Sequence, residues 1–182
     1  MTTCKAKDIK IVNIVVSASL GQDIPLEKMA ATLSNTEYNP EQFPGLVIRI
    51  KEPKTSALIF SSGKIVCTGA RSMEKVKESI EKIIKSLEKI NIKIAKFPDV
   101  KIQNMVASGT VGMDLNLNTL AMKLDNTEYE PEQFPGLVYK LAEAKATFLL
   151  FSNGKVVCTG TKSEKEVHEA LDKLVENLKN IK

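Results

Sequence analysis

Apolar, mostly β-branched residues crowd the segment Ile9–Leu20 (IKIVNIVVSASL), a run that predicts a strand. In Pro25–Ser34 (PLEKMAATLS) the spacing changes. Leu26, Met29, Ala30 and Leu33 recur at helical intervals, with Pro25 placed for the first helical position. The apolar stretch GLVIRI follows, then SALIF and IVCTG on either side of a tight, Gly-bearing turn, all read as strands. From Ser72 to Ile90 the 3.6-residue period returns. Val76, Ile80, Ile83, Ile84 and Leu87 make one apolar stripe behind a Ser72 N-cap, which predicts a long amphipathic helix.

The whole pattern then recurs. A shift of 91 residues lays Ile9–Leu87 over Val100–Leu178 without a gap, with about half the positions identical and most others conservative. TEYNPEQFPGLV at Thr36–Val47 and TEYEPEQFPGLV at Thr127–Val138 differ at one residue in twelve. A repeat this long is a compact half-domain rather than a solenoid unit. We therefore expect a first repeat over residues 1–93 (strand, helix, four strands, long helix) and a second over 94–182. The join, KINIKIAKFPDV at Lys89–Val100, is short and lacks Gly and Ser, so the two are expected to pack as one continuous unit in a pseudo-twofold arrangement.

Side chains alternate faces along a strand, and a sheet covered by helices on one side is ordinarily polar on the other. Here both faces are apolar. Leu58 and Phe60 point one way and Ala57 and Ile59 the other; Val66 and Thr68 oppose Ile65 and Cys67. One apolar stripe per helix covers one face only. The second must meet another sheet, another subunit or a ligand with a broad, shallow surface, and two repeats hold too few strands for a second sheet. Asn13 lies in phase with Ile11 and Val15, and Asn104 with Ile102 and Val106. Each asparagine reads either as a strand irregularity satisfied by backbone or as a polar group placed for a ligand.

The minor groove of DNA fits such a face: acceptors on an A·T floor, sugars along the walls, and base steps that apolar wedges can open. Val15, Leu58, Val66 and Thr68, with Val106, Leu149, Val157 and Thr159, are the candidate apolar and methyl contacts. Asn13 and Asn104 are candidates for base acceptors near the centre. Arg49, Lys64, Lys140 and Lys155 are candidates for phosphates, which position without specifying sequence. Phe60 and Phe151, at strand ends, and Phe43 and Phe134, each before a Pro-Gly pair, are the candidate wedges; their structural alternatives are core for the first pair and loop caps for the second.

Composition narrows the alternatives. A net charge of +4 is only mildly basic, compatible with a polyanionic partner and equally with a lysine-rich, soluble surface. No apolar run approaches a membrane span or a signal peptide, so a cytoplasmic protein without membrane contact is expected. Cys4, Cys67 and Cys158 form no C-x-x-C pair, and neither a metal nor another cofactor is expected. The single histidine, His168, matches Lys77 of the first repeat and reads as a surface residue. Glu41 with Glu132, and Glu37 with Glu128, are repeat-related loop acids rather than a catalytic pair, and Cys67 and Cys158 fall on the core face. No enzyme constellation emerges. The competing reading is a non-catalytic interaction or homodimerisation module that uses the apolar face.

YNPEQFPGLV, EPKTSALIFSSGKIVCTGA, KIQNMVASG, YEPEQFPGLVYK and LLFSNGKVVCTG together resemble the TATA-box-binding protein family, and the likeness covers Ile9 to Leu178. It implies an α+β saddle: one curved, ten-stranded antiparallel sheet with four helices on its convex face and DNA beneath the concave one. Wedging and a strong kink are known properties of that family and arrive with the resemblance. By the same likeness, Phe43 with Phe60 and Phe134 with Phe151 are the two wedge pairs, and the duplicated loops are the stirrups that carry Phe43 and Phe134. The first stirrup reads Phe43-Pro44-Gly45 like the second, which points to the archaeal form of this general transcription initiation factor. The implied partners are promoter DNA with an A·T-rich TATA element and transcription factor B, docking around Glu130, Glu132 and Gln133 and leading to RNA polymerase. A homodimer in the absence of DNA is a further expectation.

Overall fold

The computed structural model describes residues 5–181, and Cys4 lies outside them. The first repeat runs β1 (Lys7–Ser19), α1 (Leu26–Thr32), β2 (Thr36–Tyr38), β3 (Leu46–Ile50), β4 (Thr55–Ile59), β5 (Lys64–Ala70) and α2 (Met73–Lys89). The second runs β6 (Lys101–Thr110), α3 (Leu117–Lys123), β7 (Thr127–Glu128), β8 (Leu137–Leu141), a 3-10 turn at Ala142–Ala144, β9 (Ala146–Leu150), β10 (Lys155–Thr161) and α4 (Glu164–Lys179). All ten strands belong to one antiparallel sheet in the order β2-β3-β4-β5-β1-β6-β10-β9-β8-β7. Among the described residues, no helix is long and apolar enough to cross a membrane.

The repeat boundary belongs to the sequence; grouped by contact, the chain parts elsewhere. One unit is Asn13–Gln103, and the other joins the residues up to Val12 to those from Asn104 onward. The division passes through β1 and β6. From Ile14 on, β1 pairs with β5, whereas Gly109 of β6 lies against the Lys7 carbonyl and Ile9.

In the unit Asn13–Gln103, Ile14, Val16, Ile48, Ala57, Ile59, Ile65 and Cys67 are buried together with Val76, Ile80, Ile83 and Leu87 of α2. The α2 ends follow from their termini. Ser72 accepts from the Lys75 N–H. At the other end Asn91 takes a left-handed φ of 64°, the Asn91 N–H donates to the Glu88 carbonyl and the Ile92 N–H to the Leu87 carbonyl. These two bonds make a Schellman stop with Asn in the usual Gly place. Pro25 departs from its expected place. It is the N-cap residue, extended at φ −79°, ψ 91°, and α1 begins at Leu26. The helix also stops short of Ser34, because Leu33 is already extended and its carbonyl accepts from the Thr36 hydroxyl.

In the other unit Leu137, Phe148, Leu150, Val156 and Cys158 are buried against Val167, Leu171, Leu174 and Leu178 of α4. Tyr139 stacks on Phe148 with ring centroids 6.4 Å apart, and its hydroxyl accepts from Asn177 Nδ2 at 3.0 Å. The Phe148 position is Ala57 in the first repeat, so the two cores are filled differently.

A second asymmetry involves polar groups. Ser79 does not fit an apolar stripe, yet it is buried in α2, 2.7 Å from the equally buried Thr55 hydroxyl and donating to the Lys75 carbonyl. The second repeat has Ala170 and Ala146 there. Removing one partner of a buried pair is costly, whereas replacing both by apolar groups of similar shape is close to neutral. Ser79→Ala is therefore expected to cost about 1 kcal/mol, and Ser79→Ala with Thr55→Val to recover most of it. Urea unfolding of the parent, the two single variants and the double variant measures this coupling.

Candidate nucleic-acid interface

Strand alternation leaves one face of each unit's strands without helix cover, and the pairing shows how that face is laid out. In the unit Asn13–Gln103, Glu37, Val47, Leu58, Val66 and Ser17 stand opposite one another in turn across β2, β3, β4, β5 and β1. Glu128, Val138, Leu149, Val157 and Ser108 do so across β7, β8, β9, β10 and β6. Each row is apolar at its three central positions and polar at both ends. A second row is polar: Arg49, Ser56 and Thr68 in one unit, Lys140, Thr147 and Thr159 in the other. Leu58, Phe60, Val66 and Thr68 are half-buried where Ala57, Ile59, Ile65 and Cys67 are buried, and Leu149, Phe151, Val157 and Thr159 repeat this against Phe148, Leu150, Val156 and Cys158. Val47, Val138, Ser56 and Thr147 join the sequence-based candidates on this face, where the alternation in GLVIRI and TSALI carries them.

The phenylalanines meet in pairs. Phe43 and Phe134 are 42% and 41% exposed, each on its loop. Phe60 and Phe151 are half-buried on the open face rather than in the core. Phe43 packs edge-on against Phe60 at 5.9 Å and 66°, and Phe134 against Phe151 at 5.9 Å and 69°. Each stirrup is held by a tight turn in which the Asn39 carbonyl accepts from the Gln42 and Phe43 N–H groups, and the Glu130 carbonyl from those of Gln133 and Phe134. The Pro-Gly pair has a packing reason. A Cβ on Gly45 would lie 2.8 Å from Phe43 Cε1 and 3.1 Å from Phe60 Cε1; on Gly136 the values are 2.7 and 3.0 Å to Phe134 and Phe151. Each ring pair closes over a residue that has no side chain.

Asn13 is half-buried and engaged with backbone, as one of its two readings required. Its Oδ1 accepts from the Gly69 N–H at 2.6 Å, and its amide lies 3.1 to 3.2 Å from the Thr68 hydroxyl. Asn104 repeats this with Gly160 at 2.7 Å and Thr159 at 2.9 to 3.2 Å. Both glycines sit in a bulge. Val16 pairs Cys67 and Ile14 pairs Ala70, which leaves Thr68 and Gly69 opposite Val15 alone. Ala107 pairs Cys158 and Met105 pairs Thr161, so Thr159 and Gly160 oppose Val106.

The cations are arranged less evenly. Arg49 forms an exposed ion pair with Glu37 at 3.2 Å; such pairs are worth about 0–1 kcal/mol, so a phosphate can displace the carboxylate. Lys140 is exposed on β8. Lys64 and Lys101 line one shallow cleft with Asp99, and Lys155 and Lys10 line the repeat-related one with Asp8 and Phe151. Lys10 and Lys101 are not recognisable from sequence, because they lie near the start of a strand in a lysine-rich context that looks the same throughout the chain. Glu130, Glu132 and Gln133 are exposed on the second stirrup, where Asn39 of the first stirrup becomes Glu130 and adds a carboxylate.

Burial pushes the Cys67 and Cys158 thiols up to about 11, with hydroxyls of Ser79 and Thr161 opposing; both are buried free thiols, poorly suited to act as thiolate nucleophiles. His168 is exposed on α4.

Comparison with known proteins agrees with this architecture. The family described as "Transcription factor TFIID (or TATA-binding protein, TBP)" matches residues 8–90 and again 99–181. The chain is 53% identical over 166 residues to the TATA-box-binding protein of Methanothermobacter thermautotrophicus, covering 91% of this chain and 92% of that protein. It is 51% identical over 174 residues to that of Methanocaldococcus jannaschii, covering 96% and 95%. A solved structure, the Methanococcus jannaschii TBP, superposes with a TM-score of 0.89 at 52% identity, over 94% of this chain and 98% of that one. With both repeats matched and near-complete coverage by archaeal relatives, the chain belongs to the TATA-binding protein family of transcription initiation factors, in its archaeal form.

Proposed function

We propose that this protein binds the minor groove of a TATA element with the open sheet face, kinks the DNA by inserting phenylalanines, and nucleates assembly of the preinitiation complex. The observation that carries the reading is the duplication on that face: an apolar row, a polar row ending at an asparagine, and an edge-packed phenylalanine pair occur once in each repeat. Phe43 with Phe60 and Phe134 with Phe151 are the wedges. Val15, Val47, Leu58, Val66 and their counterparts Val106, Val138, Leu149 and Val157 lie along the sugars. Thr68, Thr159, Asn13 and Asn104 meet the groove floor, and Arg49, Lys64, Lys140 and Lys155 meet phosphates. The two repeats act as one continuous, non-catalytic DNA-binding unit in the cytoplasm.

Opening a base step costs a few kcal/mol, which the burial of an apolar face at roughly 25 cal/mol per Å2 offsets. Flexible TA steps lower that cost and favour A·T-rich sites containing them. The near-identity of the two stirrups gives the DNA contact little polarity of its own. Direction then comes from transcription factor B at Glu130, Glu132 and Gln133, where the extra carboxylate of Glu130 favours a basic partner surface on the second stirrup, and RNA polymerase follows. Without DNA, the same apolar face can pair with a second copy.

The test is a titration of the protein onto two short duplexes, one with a TATA-like core and one scrambled to G·C, at a fixed salt concentration. Binding at least about 100-fold tighter to the TATA-like duplex is expected. Equal binding to both would reject the reading in favour of a face reserved for protein.

A further inference from the structure

We propose that Lys96 and Phe97, in the segment that joins the two repeats, receive a further stretch of the DNA backbone beside the end of β1. The proposal rests on the minor-groove reading above and adds a backbone site whose aromatic half the other repeat lacks. Past the end of α2 at Lys89, the chain runs without an acidic residue as far as Asp99. Ile92 and Ile94 are half-buried and Pro98 is buried, which holds the segment down at both ends. Between them a bend at Ala95–Lys96 leaves Lys96 and Phe97 exposed, the ring by 40%. Apolar residues scattered singly over a surface are common and carry no meaning by themselves. Met122, 86% exposed on α3, is one of these. Phe97 differs in its surroundings. With Lys96 it lines a cleft of about 260 Å3 against the end of β1 and the turn at Gly21. Ser19 and Asp99 line that cleft and also the one that holds Lys64 and Lys101. The two clefts are therefore contiguous, and together they carry three lysines against one carboxylate. All of these residues belong to the unit Asn13–Gln103.

The chemistry of this strip fits a phosphodiester chain. A nucleic-acid backbone alternates an anionic phosphate with the apolar edge of a sugar, and a lysine beside an exposed ring offers a partner to each. Continuity decides between DNA and an acidic peptide. A backbone held by Lys64 and Lys101 is led on past Lys96, whereas a peptide would have to share the joined clefts with it. In the other repeat the 91-residue shift puts Lys5 and Ala6 at these two places, so the cation is present and the ring is not. The pairing of charge and ring is complete at one site only.

Charge and ring are separated by single substitutions at exposed positions, where the fold is expected to survive. Lys96→Ala, Phe97→Ala and, as a control for net charge, Lys82→Ala on the exposed side of α2 are titrated onto a TATA-like duplex. Each titration is repeated over a series of salt concentrations, beside the parent and beside a duplex scrambled to G·C. Lys96→Ala is expected to bind about 5-fold more weakly near about 0.15 M salt and to lower the slope of log K against log salt by about 0.9, the share of one phosphate. Phe97→Ala is expected to lose about 5-fold, for the unburied remainder of one ring, with the slope unchanged. Lys82→Ala is expected to match the parent in both. Lys96→Ala and Phe97→Ala variants that bind like the parent would overturn the proposal alone and leave the strip to a protein partner. Losses no greater for Lys96→Ala than for Lys82→Ala would also overturn it, because net charge would then account for them. A parent that binds the scrambled duplex as tightly as the TATA-like one would overturn the proposal and the minor-groove reading with it.

Discussion

Phe43→Ala and Phe134→Ala are each expected to weaken binding to a TATA-like duplex by about 2 kcal/mol, roughly 30-fold, with most of the change in the dissociation rate. The size follows from where the rings sit. Each is about two-fifths exposed and supported from one side by its edge-on partner 5.9 Å away. Truncating the exposed ring therefore takes away the group proposed to enter the base step and costs the free protein little. The removed wedge also spares the cost of opening that step, which keeps the net loss well below that of an aromatic anchor in a closed pocket. Surface plasmon resonance with immobilised duplex separates the rates. Because the two ring pairs are nearly superimposable in geometry, the two variants should lose affinity equally, and unequal losses would mean that the two ends of the site bear different loads.

Phe148→Ala is the substitution with the largest expected effect on folding, about 3–5 kcal/mol. Phe148 is fully buried and stacked on Tyr139, and on β9 it pairs with Tyr139 of β8 on one side and with Cys158 of β10 on the other. An alanine already occupies the matching position 57 in the first repeat, but that core was assembled around it, whereas Phe148→Ala leaves a cavity with nothing to fill it. A loss of this size is a large share of the stability of an ordinary domain. Urea unfolding of parent and variant measures it. The neighbouring Leu149 points to the open face, so where the variant remains folded its DNA affinity should stay close to the parent's.

Much of this was legible in the sequence because two independent periodicities were present: the 3.6-residue and two-residue patterns that identify elements, and the 91-residue shift that identifies the repeat. The imbalance of strand faces is enough to expose the open face, since Leu58, Phe60, Val66 and Thr68 alternate strictly with residues that are buried. Four things were not legible. Pro25 sits one step earlier than expected, because an N-cap and a first-turn proline look alike in sequence and differ only in ψ. The burial of Ser79 is invisible in sequence because a polar residue on an apolar stripe gives no sign of its partner, and Thr55 lies 24 residues away. The bulges at Thr68–Gly69 and Thr159–Gly160 depend on cross-strand register, which the alternation within one strand does not carry. They bring the Gly69 and Gly160 N–H groups to Asn13 and Asn104, which is the backbone-satisfied reading of these asparagines. Ion pairing such as Arg49 with Glu37 was likewise beyond reach, since it depends on which loop acid β2 brings beside β3.

The most direct test of the account is the bend itself. A short duplex with a TATA-like core, carrying donor and acceptor dyes at its ends, is titrated with the parent protein and energy transfer is followed at saturation, beside the same duplex scrambled to G·C. The account predicts that the ends draw together on the TATA-like duplex alone, and that Phe43→Ala and Phe134→Ala each remove part of that change when compared at saturation. Saturable binding of the TATA-like duplex with no change in end-to-end distance would contradict it, because the proposed wedges would then be binding DNA without opening a base step.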